Sequence, residues 1–594
     1  MTEDRALIEA TRLLQQQQLG EAARLLEQFL LTEAAPPSPN RLALELLAAQ
    51  VAFLLRQWPK AEEHYRQAAA IALRLPEGAA ERARVEVVRS RTSGLHPRFR
   101  PAARQDLEAS LDGLREVNDL PALLEGLLAL CHLLLLDADW ELAVERCDQL
   151  GEVARILHRR PFAAAAGLMK GMALRGQGRL TQAASCLQEA LVVLGDLSPD
   201  LAPEPETGSL SLPPLHAQAL LVLARVRADQ GRRGEVPRLL QQCLDLEVPG
   251  FDLESNLSAR LLSLLFPAGA PAGGAAAHGQ ALRRLVLAAE GRLPEEAEVW
   301  VEAALALARR AVDPEDGRGL VEKLLLATRQ LGLPELQGRC VRLQAGLLLR
   351  LGEPERAAAL LREELARQAE GQGPAWLVAG LRVDLAQLLL IQGWLEEALA
   401  LAEGAVPVLE AAGHELGLLQ ALHVAAEASR SARLLDRAAA HLARAEELCP
   451  RLGDELAAAL ILLERAMLLH DRGQGQEALL LFRQLLELAE RLEDGGLLAN
   501  ALIHMGNLHL ARGERDQARA LLARAARLEH LDQLPRARLQ LMMAEARLWA
   551  GSPTQSAELT RRLHEALELA RQLRLGVEER QIVLLLQAAA ADRV

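Results

Sequence analysis

From residue 502 to 525 the chain reads LIHMGNLHLARGERDQARALLARA, and its apolar positions recur every three or four residues, as in a helix with one buried face. Two helices are predicted, one either side of Gly513. Glycine costs a helix interior about 1 kcal/mol relative to alanine, so Gly506 and Gly513 each imply a structural requirement. Gly513 offers a left-handed residue where the first helix ends. Gly506, Ala518 and Ala525 are small where two helices are expected to cross closely, with Leu508, Leu510, Leu521 and Leu522 packed around the crossing.

The same glycine-to-alanine step recurs at Gly178 and Ala183, Gly352 and Ala357, Gly393 and Ala398, and Gly473 and Ala478; Ala438 follows Arg433 in place of glycine. Alanines at 357, 398, 438, 478, 518 and 557 stand 39 to 41 residues apart. An earlier series runs through 22, 61, 103, 143 and 183. Between the two series the pattern weakens, and Val236, a position near His278, and Leu320 are the expected members, which brings the total to fourteen units. Each unit reads as two helices. The first carries a small central residue, such as Ala49, Gly171, Ala224, Ala345, Ala386, Ala426, Ala466 or Gly506. The second sets alanine four residues before a large apolar side chain, on one face.

The small-x6-Gly-x4-Ala-x6-Ala spacing is complete at Gly171, Gly178, Ala183, Ala190 and at Gly506, Gly513, Ala518, Ala525. It resembles the tetratricopeptide repeat over nearly the whole chain. The usual unit of that family is about 34 residues; a period near 40 is similar to the long-helix variety of kinesin light chains and maltose-type bacterial activators. HEAT and armadillo repeats share the period but lack this grid of small residues. The family's bulky aromatics and closing proline are scarce here. The resemblance implies an all-α fold, a right-handed superhelical α-solenoid of about fourteen helix-turn-helix repeats around an open groove. Two stretches, 195–214 and 267–279, are rich in Pro, Ser, Gly or Ala and read as loops. The expected organisation is a block over 1–194, a loop over 195–215, degenerate repeats over 216–335 and a regular block over 336–594.

Composition agrees with helices: half the residues are hydrophobic but only 2% are aromatic, with a single tyrosine. With 594 residues the chain exceeds what one core supports. The net charge of -13, interspersed in sign, gives no general attraction to nucleic acid or anionic lipid. One local exception, from Arg82 to Arg104, is either a phosphate-binding cluster or a solvated loop. Six cysteines lack any CxxC pair and are expected as reduced core thiols. The N-terminus MTEDRALIEATRLL lacks the apolar stretch of a signal peptide, and LLALCHLLLL is about half the length of a membrane span. A soluble, cytoplasmic protein is expected.

Catalytic motifs are missing. There is no HExxH, GxSxG or GxxxxGK[ST]; His504 and His509, five apart, face different ways; and GAPAGG at 269–274 lacks the lysine of a phosphate loop. Glu396 and Glu397 fit a helix start, where the dipole favours them. No enzyme activity, cofactor or metal is expected. The resemblance instead implies a partner-binding groove lined by first helices, which on this chain presents Arg339, Arg342, Asp384, Gln387, His423, Glu427, Arg430, Glu464, His470, Asn500, His504 and Asn507. Earlier repeats offer Leu128, His132, Leu168, Met169 and Met172. Asn507 stands where peptide-binding members grip a ligand backbone, although Leu463 and Ile503 replace the basic companions of a carboxylate clamp. The function implied is a non-enzymatic scaffold for a protein or peptide, in bacterial signalling or complex assembly. The alternatives are a ligand-sensing arm controlling a separate effector (a protease, NTPase, GTPase or transcription factor) and, more weakly, a nucleic-acid binder. Asn507→Ala combined with Glu464→Ala is expected to impair partner capture without altering stability.

Overall fold

A computed structural model describes residues 2–16, 18–32, 36–76, 78–92, 94, 96, 98–196, 212–248, 256–267, 274–293, 296–311, 313–370, 374–528, 531, 534–549, 556–572 and 575–591. Among them are twenty-nine helices and no strand, numbered in chain order from α1 (Glu3–Gln15) to α29 (Gly576–Ala591). They form fourteen hairpins followed by a final first helix. Alternate helices with any extensive contact are all odd-numbered, that is, first helices. First helices therefore line the inside of each curve and second helices the outside, the arrangement of an α-solenoid.

The small residues do what their spacing requires. In the hairpin of α25 (Gly495–Ala511) and α26 (Arg515–Ala526), a Cβ on Gly506 would fall 2.8 Å from Leu522 Cδ2. Ala518, Leu522 and Ala525 are fully buried on the facing side. In α9 (Arg160–Gly176) a Cβ on Gly171 would come within 2.6 Å of Leu187. Gly513 turns the chain at φ 78°, and Arg433, at the same place in its own repeat, adopts φ 64° despite its side chain. Asp494 and Asp454 cap first helices by accepting from Leu497 N at 2.8 Å and Ala457 N at 3.1 Å.

The weak middle repeats hold the same register with poorer letters. In α14 (Gly274–Glu290) the buried face runs through Leu282, Leu285 and Ala289, one helical step after His278. In α12 (Val236–Leu244) it runs through Val236, Leu240 and Cys243. In α16 (Pro314–Gln330) the small residue is Gly317 rather than Leu320, followed by Val321, Leu324 and Thr328. In α28 (Ser556–Gln572) the buried series is Leu559, Leu563, Ala566 and Ala570, two residues on from the expected Ala557, whose side chain lies outside the described residues. The segment 274–279, expected in a loop, opens α14, while 197–211 and 268–273 lie outside the described residues.

Gly317 offers a stability test. Its missing Cβ would sit 2.8 Å from the backbone oxygen of Ala308, whereas nothing lies within 4 Å of a Cβ on Gly319. Backbone cannot swing aside as a side chain can. Gly317→Ala is expected to destabilise by about 1 to 3 kcal/mol, and Gly319→Ala to stabilise by up to about 1 kcal/mol through helix propensity. Urea unfolding of the two variants checks the opposite signs.

The chain divides into two compact units, Met1–Val226 and Arg227–Val594. In the first unit much of the arginine cluster is paired with carboxylates. Arg89 meets Glu62, Glu86 and Asp106, Arg91 meets Glu125, and Arg104 meets Glu108 and Asp139. All six cysteines are free thiols. One described helix, α19 (Ala375–Gln392), is long and apolar enough to cross a membrane, and more than half of it is buried against its neighbours.

The second unit does not stay open. Elements separated by four or five hairpins meet again. Just before α12, Arg232 makes a paired contact with Glu415 at 2.9 and 2.8 Å, although they stand 183 residues apart, and Arg233 meets Asp454 at 3.0 Å. Those acids belong to α21 (Glu415–Ser431) and to the cap of α23 (Glu455–Asp471). Likewise α29 packs on α19, with Ile391 against the cluster that holds Leu563 and Ile582.

Candidate ligand chamber in the C-terminal unit

Because α29 closes on α19, the inner wall of the last hairpins bounds a chamber of about 510 Å³. Its walls are the first helices α19, α21, α23, α25, α27 (Pro535–Trp549) and α29, with Leu395 from the start of the next helix after α19. Ile391, Met467, Ile503, Leu510 and Met543 supply apolar surface. Of the predicted groove residues, Glu427, Arg430, His470, His504 and Asn507 face this space. Glu464 and His423 stand beside it, close to Glu427.

The predicted residues are mostly paired with one another. Arg430 Nε donates to Glu464 Oε2 at 2.9 Å, and its Nη1 to Asp471 at 3.2 Å. Desolvation lowers the affinity of Arg430 for its proton, but the carboxylates outweigh that and hold it charged. Burial, then the charge of Glu464, pushes the Glu427 carboxyl up. His504 stacks on Phe482 with ring centroids 5.6 Å apart, and burial followed by the nearby Arg430 charge lowers its pKa to about 4. Glu464 is 5% exposed and ion-paired, so the expectation that its removal spares stability is corrected: it is a structural anchor of the wall.

Arg339, Arg342 and Asp384 form a separate cluster. Arg342 grips Asp384 at 2.5 and 3.1 Å, and Arg339 pairs with Glu335 and Glu302 beside the Trp376 ring. Trp376 stacks in turn on His414, whose pKa burial and the Arg342 charge lower to about 4. Gln387 is exposed, and neither it nor Asn500 lines the chamber. His509 turns away to pair with Glu514 at 2.5 Å.

Among the lining residues that escaped the sequence reading are Arg536, Gln540, Arg547 and Glu578. Arg547 Nη1 donates to Asn507 Oδ1 at 3.2 Å, and surrounding protein lowers its pKa by desolvation. The signal for Arg547 was present, since it lies 40 residues after Asn507, one repeat on. Gln540 Oε1 is buried without a hydrogen-bond partner. Arg536 sits 3.3 Å from Glu578 and 3.9 Å from Glu427, linking three walls. Chemically, the chamber offers a partnerless Gln540 Oε1, a guanidinium (Arg547) bound among the described residues to the Asn507 amide, and apolar flanks.

No family model matches the sequence, and no curated protein is similar enough to match. Solved structures do match. A crystal structure of the APC/C hetero-tetramer Cut9–Hcn1 is similar over 95% of this chain and 98% of that one, with a TM-score of 0.54 at 14% identity. BtubC from P. vanneervenii aligns with 38% of this chain and 90% of its own at 22% identity and a TM-score of 0.30. A Rap protein complexed with competence and sporulation factor aligns with 63% and 98% at 14% identity and a TM-score of 0.33. The grid of small residues, the all-helical hairpins and the first of these likenesses agree on the fold, an α-solenoid of helical hairpins similar to tetratricopeptide repeats.

Proposed function

We propose that the protein is a non-enzymatic interaction scaffold that takes a peptide end or a protruding protein segment into the C-terminal chamber, in an intracellular signalling or assembly role. The observation that carries this reading is the lining itself: among the described residues the Gln540 Oε1 atom lacks a partner and the Asn507 amide nitrogen has no acceptor, both facing the same chamber with its apolar flanks. An amide both donates and accepts, which matches a peptide backbone. The wall is built from first helices of a repeat array, and such arrays use their inner surface for binding. The solved assembly of two different proteins on a similar fold supports the class of function.

One observation favours the second reading, a ligand-sensing arm acting on a separate effector. A chamber of about 510 Å³ falls within the range of small-ligand pockets, roughly 300 to 1,000 Å³. Affinity capture from the native host with wild type and Asn507→Ala, followed by mass spectrometry, decides between them. The scaffold reading expects protein or peptide partners that Asn507→Ala loses about tenfold, with helicity unchanged. Identical partner sets for both proteins would remove the chamber as the site, and a co-purifying small molecule without protein partners would favour the sensor.

A further inference from the structure

We infer that His423, Glu427 and Glu464 form a binding site for one divalent transition-metal ion of the zinc class. His423 and Glu427 are four residues apart on α21, which stacks them on one face. Glu464 reaches them from α23, and one ligand atom from each of the three lies within 4.8 Å of the others. Bonds of about 2.1 Å in tetrahedral geometry place ligands roughly 3.4 Å apart, so modest side-chain rotation closes the triad on an ion. One imidazole with two carboxylates is a donor set used for zinc, with a further position left to water.

The surroundings are arranged as a metal site's are. The imidazole of His423 has no hydrogen-bond partner among the described residues, and the nearest cation to Glu427 is Arg536, at 3.9 Å. Arg430 occupies only Glu464 Oε2, which orients the carboxylate and leaves Oε1 to the triad. Asp471 in turn takes another nitrogen of that guanidinium, offsetting its charge. Two carboxylates facing each other on a half-dry wall repel unless a proton or cation joins them. Nothing in the repeat packing requires that opposition, since the buried small face of α21 runs through Ala421, Ala425 and Ala428 instead. The inference is independent of any partner in the chamber.

The test uses the full chain, stripped with chelator, desalted and titrated with zinc chloride by calorimetry; cobalt(II) absorption serves as a second reading. We expect one zinc ion per chain with micromolar or tighter affinity, weakened more than about tenfold in His423→Ala and in Glu427→Gln, and unchanged in Asn500→Ala. Circular dichroism monitors folding. If His423→Ala perturbs the fold, Glu427→Gln, which preserves size and hydrogen bonding, decides. Absence of zinc binding at about 100 μM, or equal binding by wild type and Glu427→Gln (as free thiols would give), overturns the assignment.

Discussion

Glu464→Ala, measured with chelator present, is expected to destabilise the C-terminal unit by about 2 to 4 kcal/mol. The side chain is almost wholly enclosed and holds Arg430, itself 14% exposed, at 2.9 Å. Removing it leaves a guanidinium desolvated and anchored only through Asp471. Relief of repulsion with Glu427 offsets part of the loss, which is why the range stops short of the full cost of an orphaned buried charge. Glu464→Gln retains an acceptor and is expected to lose less. Replacing the pair together, by Glu464→Leu with Arg430→Met, is expected to recover most of the stability, since apolar groups of similar size often substitute for a buried ion pair. Urea unfolding with hydrogen exchange across α21 to α25 reads all three. A change below about 0.5 kcal/mol for Glu464→Ala would mean that the ion pair does not hold the wall.

Acid is expected to weaken the same unit between about pH 6.5 and pH 4. His414 and His504 each have a folded pKa near 4 against an ordinary value of 6.5. The unfolded chain therefore takes up protons first as pH falls. The stability these residues support is whole above pH 6.5 and lost progressively down to pH 4, at up to about 1.4 kcal/mol per histidine per pH unit. For His414 the causes are burial and then the Arg342 charge; in addition, Nδ1 accepts from Gly417 N at 3.2 Å, capping α21, a bond that a protonated ring cannot accept. Glu427 works in the opposite direction, because its raised carboxyl gains its proton earlier in the folded state. Melting temperatures from pH 7.5 to 4.5 at fixed ionic strength are expected to fall, and His414→Asn with His504→Phe to flatten the decline while keeping the cap and the stack on Phe482. An equal decline in the double variant would place the acid sensitivity elsewhere.

The hairpins were legible because a tight helix crossing admits only small side chains, and that constraint repeats with the array. Where the crossing is filled differently, the letters mislead. Gly317 stands against the backbone of α15 (Ala297–Arg309) and is followed by Thr328, so no alanine series marks it. The site was legible by position only. His504 and Asn507 were placed on the inner wall from register alone, but register says nothing of partners. Arg430 and Glu464 stand 34 residues apart, and Arg342 and Asp384 stand 42 apart, so each pair joins neighbouring repeats. Opposite charges about one period apart are a ladder that sequence does carry. The closure of α29 on α19 is not, because it depends on the pitch accumulated over five hairpins rather than on any local residue choice.

That closure limits how the gene is free to change. In a linear array, duplication of one unit lengthens the protein and leaves the other units as they were. Here a hairpin inserted between α19 and α29 would carry the last helix past its seat, uncover Ile391 and spill the chamber open. Copy number within this stretch is held by that contact, so unequal recombination, which leaves other units of a linear array intact, would here dismantle the chamber.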